Sequence, residues 1–477
     1  MDGIIFVLEA LVVLGCILMG TRVSGVGVGL WGGLGVFVLV FVFREPPGEP
    51  PAAAIAIILA VVTAASMMQA AGGIDWMVLV AARIIESRPK QITLIAPLTA
   101  FLFSVGAGTS NILYPLLPVI YDVSYRNGIR PSRPISVSVV QSGVALAASP
   151  VSAAMAAMLT LTDTPTYGLG LTQILLITFP ACVIGIVVTS LVVNRMGAEL
   201  ADDPEVQERI RAGLLAAPGQ AGAAATAAAP PASTGAGATD AQALGTEAPL
   251  EPASARLTAT KEGRNAAMAF LTGVLLIVVL GLFPDLRPAF DSGEGPVPID
   301  MTTTIVMVMF VVGVAILFLG KPSVKTVPDQ SVFKAGMMSA IALFGIAWLT
   351  ATFIAANEEV IVETVGGWVN DYRFVFALSV FIVAALTTSQ STATRTMVPI
   401  GLAAGLPPGI VTGMWAGAIG GVYTLPTGGP QIAGANFDLS GTTKLGTKLV
   451  DHSYFVPMLV LSVTTVVVGT AIGALFF

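Results

Sequence analysis

Two stretches decide the fold: "GAGTSNILYPLLP", Gly106–Pro118, and "TTSQSTATRTMVP", Thr387–Pro399. Each is a knot of small polar residues inside strongly apolar sequence, and each runs on to a proline where the chain is otherwise apolar enough to be helical. Non-helical backbone in such surroundings survives only when it is buried in protein or lines a wet cavity. The two knots therefore read as the tips of re-entrant hairpins, which dip into a membrane and return without crossing it.

Composition sets the solvent. Of 477 residues, 55% are hydrophobic and only 10% charged, with mean hydropathy +0.87. A soluble domain carries about 25% charge, so lipid must cover most of this chain. The net charge of −6 says little about partners. The two cysteines, Cys16 and Cys182, lie in apolar runs and read as small buried hydrophobes. A single histidine, His452, excludes any His-cluster metal site. An intramembrane serine protease would need a base to activate its serine. His452 is predicted outside the membrane core, and no Gly-x-Ser-x-Gly elbow is present. The first apolar stretch begins at Gly3 without a basic leader, so it is expected to be a retained helix.

Apolar runs long enough to span a bilayer are predicted at 3–20, 23–43, 52–71, 131–161, 171–194, 265–283, 301–319, 331–355, 408–436 and 453–477. An amphipathic piece precedes each knot, from Ile74 and from Glu358. "ADDPEVQERIRAGLLA", from Ala201, is a short polar helix candidate. The Ala/Pro/Gly/Thr-rich sequence after it cannot bury a core and reads as a disordered linker. The expected division is 1–195, a first membrane repeat; 196–264, a largely disordered cytoplasmic linker; and 265–477, a second repeat. Each half reads three helices, an amphipathic segment, a hairpin, a broken helix and a last helix. Five crossings per half would insert the second half upside down relative to the first. The expected fold is thus an all-α polytopic membrane protein built of two inverted repeats, each with five transmembrane helices and one re-entrant hairpin. Its helices are broken at the site. With the linker cytoplasmic and both termini outside, 18 of the 22 Lys and Arg fall inside, and only Arg44, Arg287 and Arg373 outside. That satisfies the positive-inside rule, and a full crossing in place of either hairpin would invert much of the count.

The candidate site is the pair of tips, Gly106–Asn111 and Thr388–Arg395, with the helix breaks that follow them; Gly108, Thr109, Ser110 and Asn111 are its expected residues at the first tip, and Ser389, Gln390, Ser391, Thr392, Thr394 and Arg395 at the second. The breaks are in "AASPVSAA", at Ser149, Pro150 and Ser152, and in "YTLPTGGPQ", Tyr423–Gln431, at Thr424, Pro426 and Thr427. Proline removes a backbone donor in mid-helix. Broken helices offer N-terminal N–H groups to anions and C-terminal carbonyls to cations. Arg395 is the one basic residue with no membrane surface to occupy. An intramembrane arginine is costly, and its planar fork suits a carboxylate. With Thr394 and its neighbours it describes a neutral polar cradle bearing one positive charge, fit for a small carboxylate anion. The competing bland readings are that hydroxyls bond back to their own helical turns and that Arg395 snorkels to a surface. "GVGVGLWGGLG", from Gly25, has nucleotide-loop spacing but lies in an apolar span, where it reads as helix packing. Asp438 reads as solvated.

Longer motifs carry a family resemblance. They are "GVGVGLWGGLGVFVL" from Gly25, "SMMQAAGGIDWMV" from Ser66, "FSVGAGTSNILYPLLPVIYDV" from Phe103, "RPSRPISVSVVQSGVALAASPVSAA" from Arg130, "SVFKAGMMSAIALFGIAWLTATF" from Ser331, "SQSTATRTMVP" from Ser389 and "GTTKLGTKLVDHSYFVP" from Gly441. In these the chain resembles the anaerobic four-carbon dicarboxylate transporters, the Dcu family. The resemblance implies exchange of fumarate, succinate, malate and aspartate across a bacterial inner membrane. It also implies substrate held between two hairpin tips, where "TSN" and "SQSTAT" look like degenerate forms of a Ser-Asn-Thr motif. The position of Arg395 is basic in that family, with lysine also used. The expected partners are a small dicarboxylate and the bilayer, with a homodimer open and no nucleic acid. No cofactor is expected; Na⁺ coupling, H⁺ coupling and pure exchange all stay open. A same-fold carrier of another small anion, or an anion channel, is the alternative.

Overall fold

The structure is a computed structural model that describes residues 2–23, 26–218, 258–291, 296–371, 374–426, 428–446 and 451–477. The first half runs α1 (Asp2–Val23), α2 (Val26–Val38, continued by a π-turn to Phe43), α3 (Ala52–Ala70), α4 (Gly73–Ser87), α5 (Ile92–Ala107), α6 (Leu113–Arg126), α7 (Ser132–Ala145), α8 (Ala153–Thr162) and α9 (Leu171–Val193). After the short α10 (Pro204–Arg211) come α11 (Lys261–Leu282), α12 (Met301–Leu319), α13 (Ser331–Asp371), α14 (Phe374–Thr387), α15 (Gln390–Ala403), α16 (Pro408–Ala418), α17 (Gly429–Phe437) and α18 (Phe455–Phe476). A two-stranded ribbon, β1 (Ala289–Asp291) with β2 (Pro296–Pro298), lies between α11 and α12.

Among the described residues, nine helices are long and apolar enough to cross a membrane. They include Pro89–Ala107, a helix that ends at a reversal, but not the shorter apolar run Ile4–Gly20 or the interrupted α16–α17. Both interrupted stretches turn back. After α5 the chain enters the left-handed region at Gly108 (φ 68°), and α6 packs on α5. After α14 it does so at Thr388 (φ 48°), and α15 packs on α14. The amphipathic segments become α4 and the end of α13, which follows a kink at Asn357 (φ −123°).

The element order of the two halves matches. Gln69, at the end of α3, donates to the Ser331 hydroxyl (2.8 Å) and accepts from the Val332 N–H (3.0 Å) at the start of α13. Gly48, ahead of α3, donates to the Thr352 hydroxyl (3.1 Å) and accepts from the Trp348 indole (2.7 Å) farther along α13. The helices α3 and α13, which hold the same place in their halves, therefore run antiparallel. α2 packs on α13 as α12 packs on α3, and α9 packs on α18.

Layering follows from which faces are apolar. α1, α2, α11 and α12 expose Leu11, Leu30, Phe37, Leu275, Phe310 and Phe318, as lipid-facing helices do. α7 is buried from Arg133 to Ala145 and α16 from Gly409 to Ala418. A helix buried on every side belongs at the centre. α7 nevertheless carries Ser136, Ser138, Gln141 and Ser142 there. The glycines of "GVGVGLWGGLG" are packing residues: a Cβ on Gly29 or Gly32 would fall within 2.3 Å of α13 backbone.

The linker has a built beginning. Arg130 pairs with Asp203, Arg133 with Glu199 (2.9 Å), and Lys444 with Glu205 (2.8 Å). The Tyr125 hydroxyl donates to the Ala216 carbonyl (2.7 Å). Burial alone would raise the Asp203 carboxyl, but Arg130 and the N–H groups of Val206 and Glu205 hold it below its ordinary range. These contacts tie the first hairpin and α7 to the loop after α17. Of the Ala/Pro/Gly/Thr-rich stretch read as disordered, residues 219–255 lie outside the described residues.

Candidate functional site

The two tips share one local geometry. A left-handed residue, Gly108 or Thr388, is followed by an extended hydroxyl residue, Thr109 (φ −146°) or Ser389 (φ −140°). That hydroxyl caps the helix beyond it. Thr109 accepts from the Asn111 N–H (3.2 Å), and Ser389 accepts from the Thr392 N–H (3.2 Å) and the Thr392 hydroxyl (2.9 Å). "GTSN" and "TSQS" are thus structural equivalents. Capping by these hydroxyls starts a helix at each tip and aims its N-terminal partial charge there.

The breaks are built as predicted, and by different side chains. In the first half Ser149 is extended and donates to the Val105 carbonyl (2.7 Å), fixing the break to the hairpin. Ser152 caps α8 through the Met155 N–H (3.0 Å) and donates to the Leu146 carbonyl (2.6 Å). Pro150 sits between them. In the second half the buried Gln431 spans the break: its amide oxygen accepts from the Gly428 N–H (3.1 Å) and its amide nitrogen donates to the Tyr423 carbonyl (3.0 Å). Pro426 lies in the gap. Thr427 falls outside the described residues.

Tips and breaks meet around α7. Gly108 lies against Val151, in the first break. The Tyr114 hydroxyl, just past the first tip, lies against Gly429 in the second break. Gln390, in the second tip, reaches the Gly143 carbonyl on α7 (3.4 Å), and Gly143 packs on Tyr423. The Tyr423 hydroxyl shares a hydrogen bond with Ser142 (2.6 Å). The N-termini of α6, α8, α15 and α17 all belong to this cluster, and such ends attract anions.

The structure divides the predicted residues. Ser149, Ser152, Thr394 and Thr424 already donate their hydroxyl protons to protein carbonyls. Thr394 also accepts from the buried Trp415 indole (2.7 Å). These four shape the site without a proton left for a ligand. Ser110, Asn111 and Ser391 are half-buried and have no side-chain partner among the described residues. Arg395 stands apart. It is 2% exposed, in the second turn of α15, and its Nε and Nη2 have no hydrogen-bond partner among the described residues. Among the described residues no carboxylate pairs with it, and its burial means that it does not snorkel to a surface. A guanidinium without a counter-charge in a low-dielectric interior costs several kcal/mol, and its place near a helix N-terminus raises the cost.

Gln141 and Ser142, in an apolar run, were not named from sequence, and Tyr423 and Gln431 entered only as the bounds of the second break. The rule that singled out Arg395, a polar group where lipid-like surroundings make it costly, also reaches the two glutamines. His452, expected beside a cytoplasmic helix start, is buried and bonded to the Thr424 carbonyl (3.0 Å). Asp438, expected in solvent, is buried and accepts from Ser440, Thr442 and the Thr443 N–H, because the turn after it wraps its carboxylate. Glu9, on α1, is buried and accepts from Asn357 (2.5 Å) at the α13 kink. Among the described residues no group of His, Cys, Asp and Glu could hold a metal ion.

The sequence matches the family described as anaerobic C4-dicarboxylate membrane transporter over residues 5–477. An anaerobic C4-dicarboxylate transporter, DcuB, of Escherichia coli O6:H1 is 31% identical over 475 residues, covering 99% of both chains. C4-dicarboxylate transporters named DcuA are 29% identical in Escherichia coli K12 and in Wolinella succinogenes, each over 94% of this chain and 95% of the relative. The crystal structure of the Alcanivorax borkumensis YdaH transporter aligns at TM-score 0.47 and 14% identity, covering 88% of this chain and 85% of that one.

Proposed function

Because the chain belongs to the anaerobic C4-dicarboxylate membrane transporter family, we propose that it exchanges one C4-dicarboxylate for another by alternating access. Fumarate, succinate, malate and aspartate are the proposed substrates. The observation that carries the reading is Arg395, a buried cation without a counter-charge among the described residues, in the second turn of α15, whose N-terminus belongs to the cluster of tips and breaks. A small dianion supplies the missing charge. One carboxylate would meet the Arg395 fork, and the other the free polar groups of the first tip, Ser110 and Asn111. The proposed division is two inverted repeats joined by a cytoplasmic linker, which the antiparallel α3 and α13 support. The hairpins and broken helices would move as a unit against the outer helices. No cofactor is proposed.

Proteoliposomes loaded with unlabelled succinate and offered labelled fumarate test the exchange. Uptake is expected to saturate, to require internal dicarboxylate and to proceed without Na⁺. Uptake that does not saturate would indicate a channel, and uptake into empty liposomes driven by Na⁺ would replace exchange with cotransport.

Orientation has its own test, made cleaner by the burial of both native cysteines, Cys16 and Cys182. In intact cells Gly293→Cys is expected to react with an impermeant thiol reagent and Gly235→Cys to stay unlabelled. The reverse pattern would turn the protein over in the membrane.

A further inference from the structure

The second break leaves C-terminal carbonyls of a helix beside a site for anions, which is the electrostatically wrong end. Two of them are covered by side chains from elsewhere: the Tyr423 carbonyl by Gln431, and the Thr424 carbonyl by His452 at 3.0 Å. Thr424 cannot cover its own, since its hydroxyl donates to Gly421 (2.7 Å).

His452 is 4% exposed, packed beside the rings of Tyr454 (centroids 6.1 Å) and Phe455 (5.9 Å). Its Nδ1 faces the backbone N–H of Tyr454 at 3.3 Å, at the entry to α18. A backbone N–H can only donate and a carbonyl can only accept. The ring is therefore neutral, with its lone pair on Nδ1 and its proton on Nε2. Histidine suits this place because it is an acceptor at one end and a donor at the other, held rigid between α18 and the break.

Resting on the dicarboxylate reading, we propose that His452 is a positioning residue of the substrate site. As a neutral imidazole it holds the Thr424 carbonyl on its own Nε2–H, turned from the bound dianion, and anchors the second break to the start of α18. It touches no substrate. Its effect falls on affinity, because an uncovered carbonyl at the break would repel the carboxylate.

The test compares His452→Phe, which keeps a ring without a donor, and His452→Gln, which keeps an N–H donor. Succinate KM and maximal exchange rate are measured in proteoliposomes per folded protein, with succinate binding to the purified protein alongside. His452→Phe is expected to raise KM about tenfold with a maximal rate within about threefold of wild type, in line with one orphaned buried acceptor. His452→Gln is expected to recover KM to within about threefold. A folded Phe variant with wild-type KM, or a Gln variant no better than Phe, would overturn the inference. Loss of folded protein in both would assign a merely structural role and overturn it too. If the wild-type protein itself binds no succinate, the dicarboxylate reading falls and takes this inference with it. If wild type binds succinate and Phe equals wild type, only this inference falls.

Discussion

Arg395→Met is expected to abolish dicarboxylate exchange and to leave a folded protein that is at least as heat-stable as wild type without substrate. Both halves of this result follow from the missing partner. Among the described residues Arg395 bonds to no carboxylate, so removing it orphans none of their groups, and an apolar side chain of similar length ends the cost of an uncompensated buried charge. Removing the partner of a desolvated substrate carboxylate costs about 3–5 kcal/mol, which is more than a hundredfold in affinity. Arg395→Lys keeps the charge and loses the fork, so partial exchange with raised KM is expected. The measurements are succinate binding and melting temperature of the purified variants. Normal affinity in Arg395→Met would sink the carboxylate role. A large fall in its stability would make Arg395 a structural charge.

The second large effect is at Gly108. Its φ of 68° is left-handed, and a Cβ there would lie 2.8 Å from the Val151 carbonyl oxygen. Gly108→Val therefore combines a backbone penalty of about 1–2 kcal/mol with an overlap costing about 1–3 kcal/mol more. The overlap separates the first tip from the first break, and exchange per folded protein is expected to fall more than tenfold. The equivalent residue of the other tip makes the control. Thr388 holds a left-handed φ of 48° with its side chain exposed, so Thr388→Gly relieves strain and touches no packed neighbour. It is expected to keep exchange within about threefold and raise stability slightly. If Gly108→Val transports normally, the close approach of tip and break has no part in function.

The sequence by itself determined the lipid-solvated class, most of the spans, the two polar knots and the two proline breaks. These signals are local. Hydropathy is a property of a run, and Pro150, Pro426 or the glycines at 428 and 429 interrupt a helix whatever surrounds them. It also marked Arg395 as costly where it stands. What it could not determine is which polar groups remain free, because a hydrogen bond joins residues far apart in the chain. Ser149 and Ser110 look alike in sequence. Only the packed structure puts the Ser149 hydroxyl on the Val105 carbonyl while Ser110 keeps its own. Tertiary structure likewise took Thr394 for Trp415, brought Ser142 to Tyr423, stretched Gln431 across the second break and carried His452 to Thr424. The physical reason is the low-dielectric interior. There each buried polar group must find a partner, so the identity of the site is fixed by the groups left over once the others have paired.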